Sequence, residues 1–590
     1  MRIAKALILL LYSRCNRNMV QRHLRIANAL FIISVFALCV VLPFIKLGIP
    51  SGHDFEFHFN SWIEVVEHWR QGNLYPHWAA LAHYGYGEAR FIFYPPFSWT
   101  LGALLGTVLP WKFVPAVYIW IVLTLAGWSM FFLVRRWLSC RDAIFAAALY
   151  AANPYNLVIV YWRSALAELM AAIYLPILLL LVLRAEENPR RALVPLSIVL
   201  AAGWLTNLPS AVMMNYSIAL LATMIALRRR SCRALLYMAA AAVLGAMLAG
   251  FYLVPAFHEQ SWVNISQVLA PGVRPADNFL FTSTTDADHN HFNLLISIVA
   301  VSEVVPLMGA FVLWGRRQSW ILGRWRRTNA TVSLPSTRER GLTTLFSILL
   351  AWSILCVLLM LRPTLPFWLY LPELRFVQLP WRWLLCMNVP FAFVIAFAVR
   401  RWWLRAVVCA AAIVVVLIVW QRVQVPWWDN AGDIQEMLDN QQDGIGNEGT
   451  DEYVPAGADA YDIDQNAPLV RFDGGGNARI NIQQWLAERR HFVVNAGTPG
   501  NLIVKLFNYP SWKVRVNGST VTTGTTPHTG QMTIPIAMGK NTLEINFLQG
   551  RDRTVGIGCS AVAIIVLLIT SMALRERRTV ARGSPLAAHS

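Results

Sequence analysis

Apolar runs of about 17–25 residues recur along this chain, and they decide its fold class. A helix of about twenty residues crosses roughly 30 Å of hydrocarbon. Lipid offers no partners to backbone polar groups, so each run must close its own hydrogen bonds as a helix. With 56% hydrophobic and 14% charged residues, the chain is too apolar for a soluble protein. The runs fall at 26–47, 113–134, 143–161, 167–184, 192–207, 209–227, 234–256, 292–314, 342–361, 383–399, 404–420 and 554–574. They predict an all-α polytopic membrane bundle of about twelve transmembrane helices. Asn207 and Pro209 mark a tight turn between the short spans of 192–227.

Lys and Arg orient the bundle. Segments 1–25, 135–141, 184–191, 228–233, 315–341, 400–405 and 575–590 hold 30 of the 50 basic residues and few of the acidic ones. All of them fall on the same side of the predicted topology, so both termini are expected in the cytoplasm. The net charge of +18 therefore reports topology, and no nucleic-acid partner is implied. Ala6–Tyr12 is a short apolar run followed by Arg14, Arg17 and Arg22 rather than by a small-residue cleavage site, so a cleaved signal peptide is not expected. The eight cysteines lie in spans or inner segments without a C-x-x-C pair, which supports neither a disulfide framework nor a zinc–cysteine site.

Three outer regions follow: 48–112, 257–291 and 421–553. The chain thus divides into a membrane domain over 1–420 that includes the first outer loop 48–112, an extracytoplasmic β-rich domain over 421–553, and a last span with a cytoplasmic tail over 554–590. Residues 429–479 are rich in Asp, Asn, Gly and Gln and read as loop. Beyond them, Leu502–Phe507, Trp512–Val516 and Thr542–Phe547 alternate as strands, and Asn517-Gly518 is a hairpin signal, which predicts a small β-sandwich. Gly474-Gly475-Gly476 reads as a flexible turn, and no Walker motif is present to drive transport with ATP.

The first loop is the most chemically loaded stretch. Residues 51–96 carry five of the twelve histidines together with Asp54, Glu56, Glu64, Glu67 and Glu88. Phe55, Phe59, Trp62, Val66 and Trp69 share one helical face, which predicts a helix lying on the membrane or on the bundle. Residues 97–110 are apolar but short and read as a re-entrant or interfacial helix.

The pattern His53-Asp54, Phe57-His58, Gly72-x-x-Tyr75-Pro76-x-Trp78, Gly85-Tyr86-Gly87 and Phe93-Tyr94-Pro95-Pro96 resembles bacterial integral membrane proteins of the GT-C glycosyltransferase superfamily. The similar subgroup carries the label 6-pyruvoyl-tetrahydropterin synthase-related membrane protein and is close to the YfhO-like proteins. Tyr161-Trp162-Arg163 through Glu168, Phe251–Pro255, Gln378–Arg382 and Tyr509–Gly518 extend the resemblance over nearly the whole chain. Nothing here looks like a soluble pterin enzyme. The resemblance implies a GT-C bundle in the bacterial inner membrane. It also implies a transferase that moves a sugar from a polyprenyl-phosphate donor to an extracytoplasmic glycan, lipid or cell-wall polymer. An acidic residue of the first outer loop then sits near the reacting centre, and by position this is Asp54.

Such a transfer needs a base for the acceptor hydroxyl and positive charge at the leaving phosphate. Asp54 is the candidate base; an N-cap role is its structural alternative. His58, four residues on, shares a helical face with it and either orients it or joins His53 and Glu56 around a divalent cation. Arg163 and Glu168 flank the turn between the third and fourth spans, and Gln378 and Arg382 precede the tenth. Arginine suits a phosphate, and Tyr94 completes the expected substrate contacts with His53. Asp286, Asp288, His289 and His291 read as a solvated loop, and Glu303 as a group facing the bundle interior. Two rival readings are a transporter or flippase of lipid-linked saccharides and a non-catalytic envelope-assembly protein.

Overall fold

The computed structural model describes residues 23–328, 337–423, 428–548 and 550–582. The run Ala6–Tyr12, the arginines that follow it up to Arg22, and the tail beyond Arg582 lie outside them. Most of the described chain is helical, with a separate C-terminal β-sheet region. Among the described residues nine helices are long and apolar enough to cross a membrane: His23–Leu47, Trp111–Val134, Cys140–Arg163, Leu166–Glu187, Leu208–Arg229, Ala287–Arg316, Gly341–Leu359, Pro380–Ala398 and Arg551–Arg575. Arg233–Leu248 and Gly250–Trp262, bent by 74°, make a tenth if they form one span. Ser560 of the last helix bridges that break, its hydroxyl donating to Leu248 O (3.0 Å) and accepting the Phe251 N–H (2.9 Å).

Two of the twelve expected spans fall short of this length. Pro189–Trp204 has 16 residues with Pro195 inside, and Trp402–Val415 is a shorter apolar helix. The first is cut short by the Asn207 cap, whose side chain accepts the Ser210 N–H at 3.0 Å and starts the next helix. Residues 97–110 do form a short helix, Pro96–Val108, of 13 residues.

The two ends of the bundle differ in kind. At one end, Arg136–Glu187, Arg229–Glu186 and Arg405–Asp142 pair across the basic connecting segments. At the other end, the first loop, the segments 260–286 and 361–379, and the β region meet. There Gln378 Nε2 donates to Val268 O (2.8 Å), Leu280 N to Met360 O (3.0 Å), and Val263 bridges Pro455.

Strand β1 (Ile49–Pro50) pairs antiparallel with β2 (Trp428–Asp429), tying the exit of the first span to the start of the C-terminal region. Nine further strands follow: β3 (Val470–Asp473), β4 (Ala478–Trp485), β5 (Arg489–Ala496), β6 (Gly500–Phe507), β7 (Trp512–Val516), β8 (Ser519–Val521), β9 (Gly524–Thr525), β10 (Gln531–Ile536) and β11 (Gly539–Phe547). They form two antiparallel sheets, ordered β3-β6-β10-β9 and β4-β5-β11-β7-β8. Asn517 (φ 51°) and Gly518 (φ 81°) make the two-residue turn from β7 to β8, as the Asn-Gly pair predicts. The triple glycine 474–476 links β3 to β4.

Both sheets share one buried apolar cluster, in which Val504 and Ile534 meet Phe492, Val514 and Ile545. Trp78, Tyr86, Ile92 and Phe93 of the first loop belong to the same cluster. The loop is therefore packed between the bundle and the β region; of the two expected places for its helix, the membrane surface and the bundle, the structure has the second, with the β region closing over it. In the helix Phe55–Arg70 the apolar Phe55, Phe59, Trp62 and Val66 are buried, but so are His58, Asn60, Ser61, Glu64 and His68. Trp62 stacks on Tyr118 of the bundle with centroids 5.0 Å apart. On another side, Asn60 accepts from Gln441 Nε2 at 3.2 Å.

Gln441 lies on a helix, Ala431–Gln442, in the stretch expected to be loop. A capping box starts this helix: the Asn430 side chain accepts the Gly432 N–H (2.6 Å) and Asp433 accepts the Asn430 N–H (2.7 Å). Ile434, Met437, Leu438 and Gln441 then recur at helical spacing. The polar composition hid a helix that needs only one narrow face to dock.

Gly87 has φ +75°, and an added Cβ would come within 2.0 Å of Trp78 Nε1 and 3.0 Å of Ala79 O. Gly87→Ala is expected to destabilise the protein by about 2–4 kcal/mol, read as a lower Tm of the detergent-purified chain. Gly475→Ala, whose added Cβ meets nothing within 4 Å, serves as the matched control and is expected to leave Tm within error.

Candidate active site at the base of the first loop

The span Cys140–Arg163 ends in a π-helical turn over Ile159–Arg163, and Ser164 follows with φ 51°. Single π turns bulge the backbone and re-aim side chains. This turn carries the first loop. Asp54 N–H donates to Arg163 O (2.9 Å), Gly52 N–H to Ser164 Oγ (3.0 Å), and Ser164 Oγ to Pro50 O (3.0 Å). Leu166 N–H donates to His58 Nε2 at 3.1 Å. That contact fixes the neutral tautomer with the proton on Nδ1. Burial pulls the His58 pKa down to about 4, against the opposing pull of Asp54.

Glu168 is buried one turn beyond, at 1% exposure. Its Oε2 lies 2.7 Å from Arg163 Nη1 and 3.1 Å from Arg382 Nε, and Tyr155 OH donates to its Oε1. Arg163 also stacks on Trp381, with Cζ 4.8 Å from the ring centre. Arg382 Nη1 donates to Val377 O and to Gln378 Oε1, both at 2.9 Å. The Nη2 groups of both arginines make no hydrogen bond among the described residues.

Asp54 precedes the helix Phe55–Arg70, yet its side chain makes no capping hydrogen bond. Its Oδ1 instead meets His53 Nδ1 at 2.6 Å, beside solvent: the His53 side chain is 87% exposed and that of Asp54 32%. Burial alone would raise the Asp54 carboxyl, but the His53 hydrogen bond and the charge of Arg163 hold it far below the usual carboxylate range. The same bond raises the His53 pKa. Tyr94 packs its ring on Phe57 (4.7 Å) and His58 (5.8 Å). Burial, then the Asp54 charge, pushes its phenol well above the ordinary value, and its hydroxyl makes no hydrogen bond among the described residues.

The fold thus brings together His53, Asp54, His58, Tyr94, Arg163, Glu168 and Arg382, with Gln378 behind Arg382. Glu56 does not join them. Burial raises its pKa, and the carboxylates of Asp429 and Glu448 raise it further, so it faces the C-terminal region. The reason is angular: two residues along a helix turn the side chain roughly 200° away from Asp54. With Glu56 elsewhere and His58 Nε2 engaged by Leu166, the imagined cation set of His53, Glu56 and His58 is not assembled. Among the described residues no three His, Cys, Asp or Glu side chains are placed to hold a metal ion. Asp286 accepts the Asp288 and His289 N–H groups and so starts a helix, and Glu303 Oε1 accepts the Tyr155 N–H (2.8 Å). A groove of about 690 Å³ lies apart from the cluster, between Gly250, Leu253, Phe257 and Cys559.

Tyr155 and Trp381 complete the cluster without having been singled out beforehand. Tyr155 follows an Asn-Pro cap inside the expected span 143–161, and Trp381 stands beside Arg382; neither carries a charge that would mark it. A second buried network was also missed. Glu88 Oε1 meets Arg90 Nε at 2.5 Å, Glu88 Oε2 meets His83 Nε2 and the Thr450 N–H at 2.9 and 2.8 Å, and Arg90 Nη1 reaches Ser61 Oγ at 3.0 Å. Glu-x-Arg inside an apolar stretch is its sequence signal. Glu64 lies beside it, buried, with Oε1 unpartnered among the described residues. Desolvation pushes its pKa up to about 7 despite the nearby Arg90.

Two expectations follow. A carboxyl whose pKa is about 7 when folded and about 4.5 unfolded gives stability that is complete below pH 4.5 and lost as pH rises through 7. Glu64→Gln is therefore expected to gain about 3 kcal/mol on the wild type between pH 4.5 and 7.5, measured by denaturation at each pH. Parallel curves would show that Glu64 is ionised in the folded protein. Glu168→Gln leaves two buried guanidinium groups without their anion and is expected to cost about 3–5 kcal/mol, whereas Glu187→Gln, at the exposed Arg136 pair, costs under about 1 kcal/mol.

No curated protein matches the chain. Residues 91–425, more than half of its length and including Tyr94, Arg163, Glu168, Gln378 and Arg382, match the family described as 6-pyruvoyl-tetrahydropterin synthase related domain, membrane protein, and the chain belongs to that family.

Proposed function

We propose that this integral membrane protein transfers a sugar from a polyprenyl-phosphate donor to a glycan, lipid or cell-wall polymer on the outer face of a bacterial cytoplasmic membrane. The observation that carries the reading is a carboxylate, Asp54, at the solvent edge and held to Arg163 through its backbone, where Arg163 and Arg382 share the buried Glu168 and both feel the Asp54 charge. The positive-inside rule then assigns the basic end of the bundle to the cytoplasm and the loop end to the outside. On this reading residues 1–420 and 554–590 form a GT-C bundle, twelve crossings with the two short apolar helices included. Residues 421–553 form an outer β-sandwich domain.

Asp54 takes the proton of the acceptor hydroxyl as that oxygen attacks the anomeric carbon. The bond from that carbon to the phosphate oxygen breaks, and its electron pair leaves on the phosphate. The free Nη2 groups of Arg163 and Arg382 meet the growing negative charge. Asp54 is a weak base while the His53 hydrogen bond and the Arg163 charge act on it. A bound phosphate answers that charge and lifts the carboxyl toward a useful basicity. Tyr94 offers a free hydroxyl to the sugar or phosphate, and His58 holds the loop to the 163–166 turn.

The test compares wild type with Asp54→Asn in membranes supplied with a panel of radiolabelled polyprenyl-phosphate sugars. Transfer by the wild type is expected, with a loss of at least about 100-fold in the variant. Because His53 and Arg163 favour the ionised Asp54, the neutral variant is expected to unfold at a lower Tm yet still cooperatively, which shows that it is folded in the assay. Equal transfer by both proteins would remove Asp54 from the chemistry. No transfer of any sugar by either would favour the transporter and assembly readings.

A further inference from the structure

Charge in the C-terminal region is sorted rather than mixed. Residues 429–473 hold twelve Asp and Glu against one basic residue, Arg471, whereas residues 474–550 hold seven Lys and Arg against Glu488 and Glu544. Strand register puts most of the second set on one surface. In the five-stranded sheet, β5 exposes its odd-numbered residues and β11 its even-numbered ones. Lys513, Asn546 and Arg489 form one cross-strand row; Arg515, Glu544 and His491 form the next; Lys540, Asn495 and Arg479 form the last. The opposite faces of these strands bury Phe492, Val514 and Ile545 in the core, so this face points to solvent.

Arg479, Arg489, Lys513, Arg515 and Lys540 are all exposed. None forms an ion pair among the described residues; Lys513 alone is engaged, with Pro510 O at 3.1 Å. Glu544 is the sole carboxylate in the three rows. Six residues of β11 separate the first row from the last, about 20 Å of extended strand. Five unpaired cations on so short a span repel one another, and an anionic partner removes that cost.

The groups between the cations say which anion. Asn495, Asn546, Asn481 and Thr542 share the face, and such side chains donate to and accept from hydroxyls and ring oxygens. A face that sits on a bilayer interleaves its basic residues with Trp, Phe or Leu instead, and these rows have none. We infer that the outward face of the five-stranded sheet binds an anionic polysaccharide, a polymer carrying carboxylate or phosphate along its length. This inference needs no transfer reaction. Where the proposed glycosyl transfer holds, the same face would lead an acidic polymer toward the first loop.

Binding is tested on the full chain in nanodiscs of neutral phosphatidylcholine, with polygalacturonate as the probe, neutral dextran as control and vesicles containing phosphatidylglycerol as competitor. Polygalacturonate is expected to bind and dextran not to, with affinity falling as salt rises. Arg479→Gln/Arg489→Gln/Arg515→Gln is expected to weaken binding about tenfold. Glu544→Gln, which removes the one carboxylate, is expected to tighten it, a result that misfolding does not mimic. Equal binding by wild type and triple variant overturns the inference, as does failure of polygalacturonate to bind. Preference for the anionic vesicles would assign the face to the membrane instead. Each readout is binding alone, so absence of sugar transfer leaves this test intact.

Discussion

One buried carboxylate organises the end of the bundle that carries the first loop. Glu168 holds Arg163 from the preceding span and Arg382 from a helix more than two hundred residues later, with Tyr155 on its other oxygen. Removing three charges from water is expensive, and a buried ion group of this kind is weak evidence for stability alone. Inside a membrane bundle, ionisable groups that persist usually mark function. Here the excess is positive: two guanidinium groups share one carboxylate, and the second negative charge, Asp54, stands at the solvent edge. The Arg163 carbonyl accepts the Asp54 N–H, and the turn beside it donates to His58. Moving Glu168 would therefore move the first loop as well as the arginines.

Arg382 is held from behind by an unusual turn. Gln378 sits at φ 64°, ψ −63°, with the Leu379 N–H on Val377 O at 2.8 Å. This is a γ-turn of the rare, strained kind. The turn aims both Val377 O and Gln378 Oε1 at the same nitrogen of Arg382, while Gln378 Nε2 reaches Val268 in the segment 260–286. Strain of about 1–3 kcal/mol persists only where surroundings enforce it. The enforced outcome is one orientation of a guanidinium group whose other face is left free. Gln378, expected as a substrate contact, is placed to orient Arg382.

Much of this was legible in the sequence because it rests on periodicity and local signals. The long apolar runs gave the spans. The alternation of 502–507 and 512–516 and the Asn517-Gly518 pair gave the hairpin strands. Asp54, His58, Arg163, Glu168 and Arg382 stood out as charges at span ends and in one polyprotic loop, and they converge. What was not legible depended on long-range packing. The burial of Asn60, Glu64 and His68 comes from the β region closing over the first loop, which no local pattern announces. The helix Ala431–Gln442 is made by a capping box and one narrow apolar face inside a polar stretch. Glu56 was misplaced because proximity in sequence was taken for proximity in space, although a helix carries residues two apart to nearly opposite sides.

Positive charge has three distinct uses in this chain, and burial with partner chemistry separates them. The basic connecting segments at one end of the bundle are largely solvated, and Arg136 and Arg229 pair there with Glu187 and Glu186. Arg163 and Arg382 are desolvated and share a single carboxylate, so their charge is stiff, directional and strong at short range. The sheet face is solvated but unpaired, a long-range, salt-sensitive field rather than a fixed contact. Composition adds all three into one figure, +18. Strand register and ion-pair geometry resolve that figure into solvated charge at one end of the bundle, two buried arginines at the base of the first loop, and a separate row of exposed cations about 20 Å long.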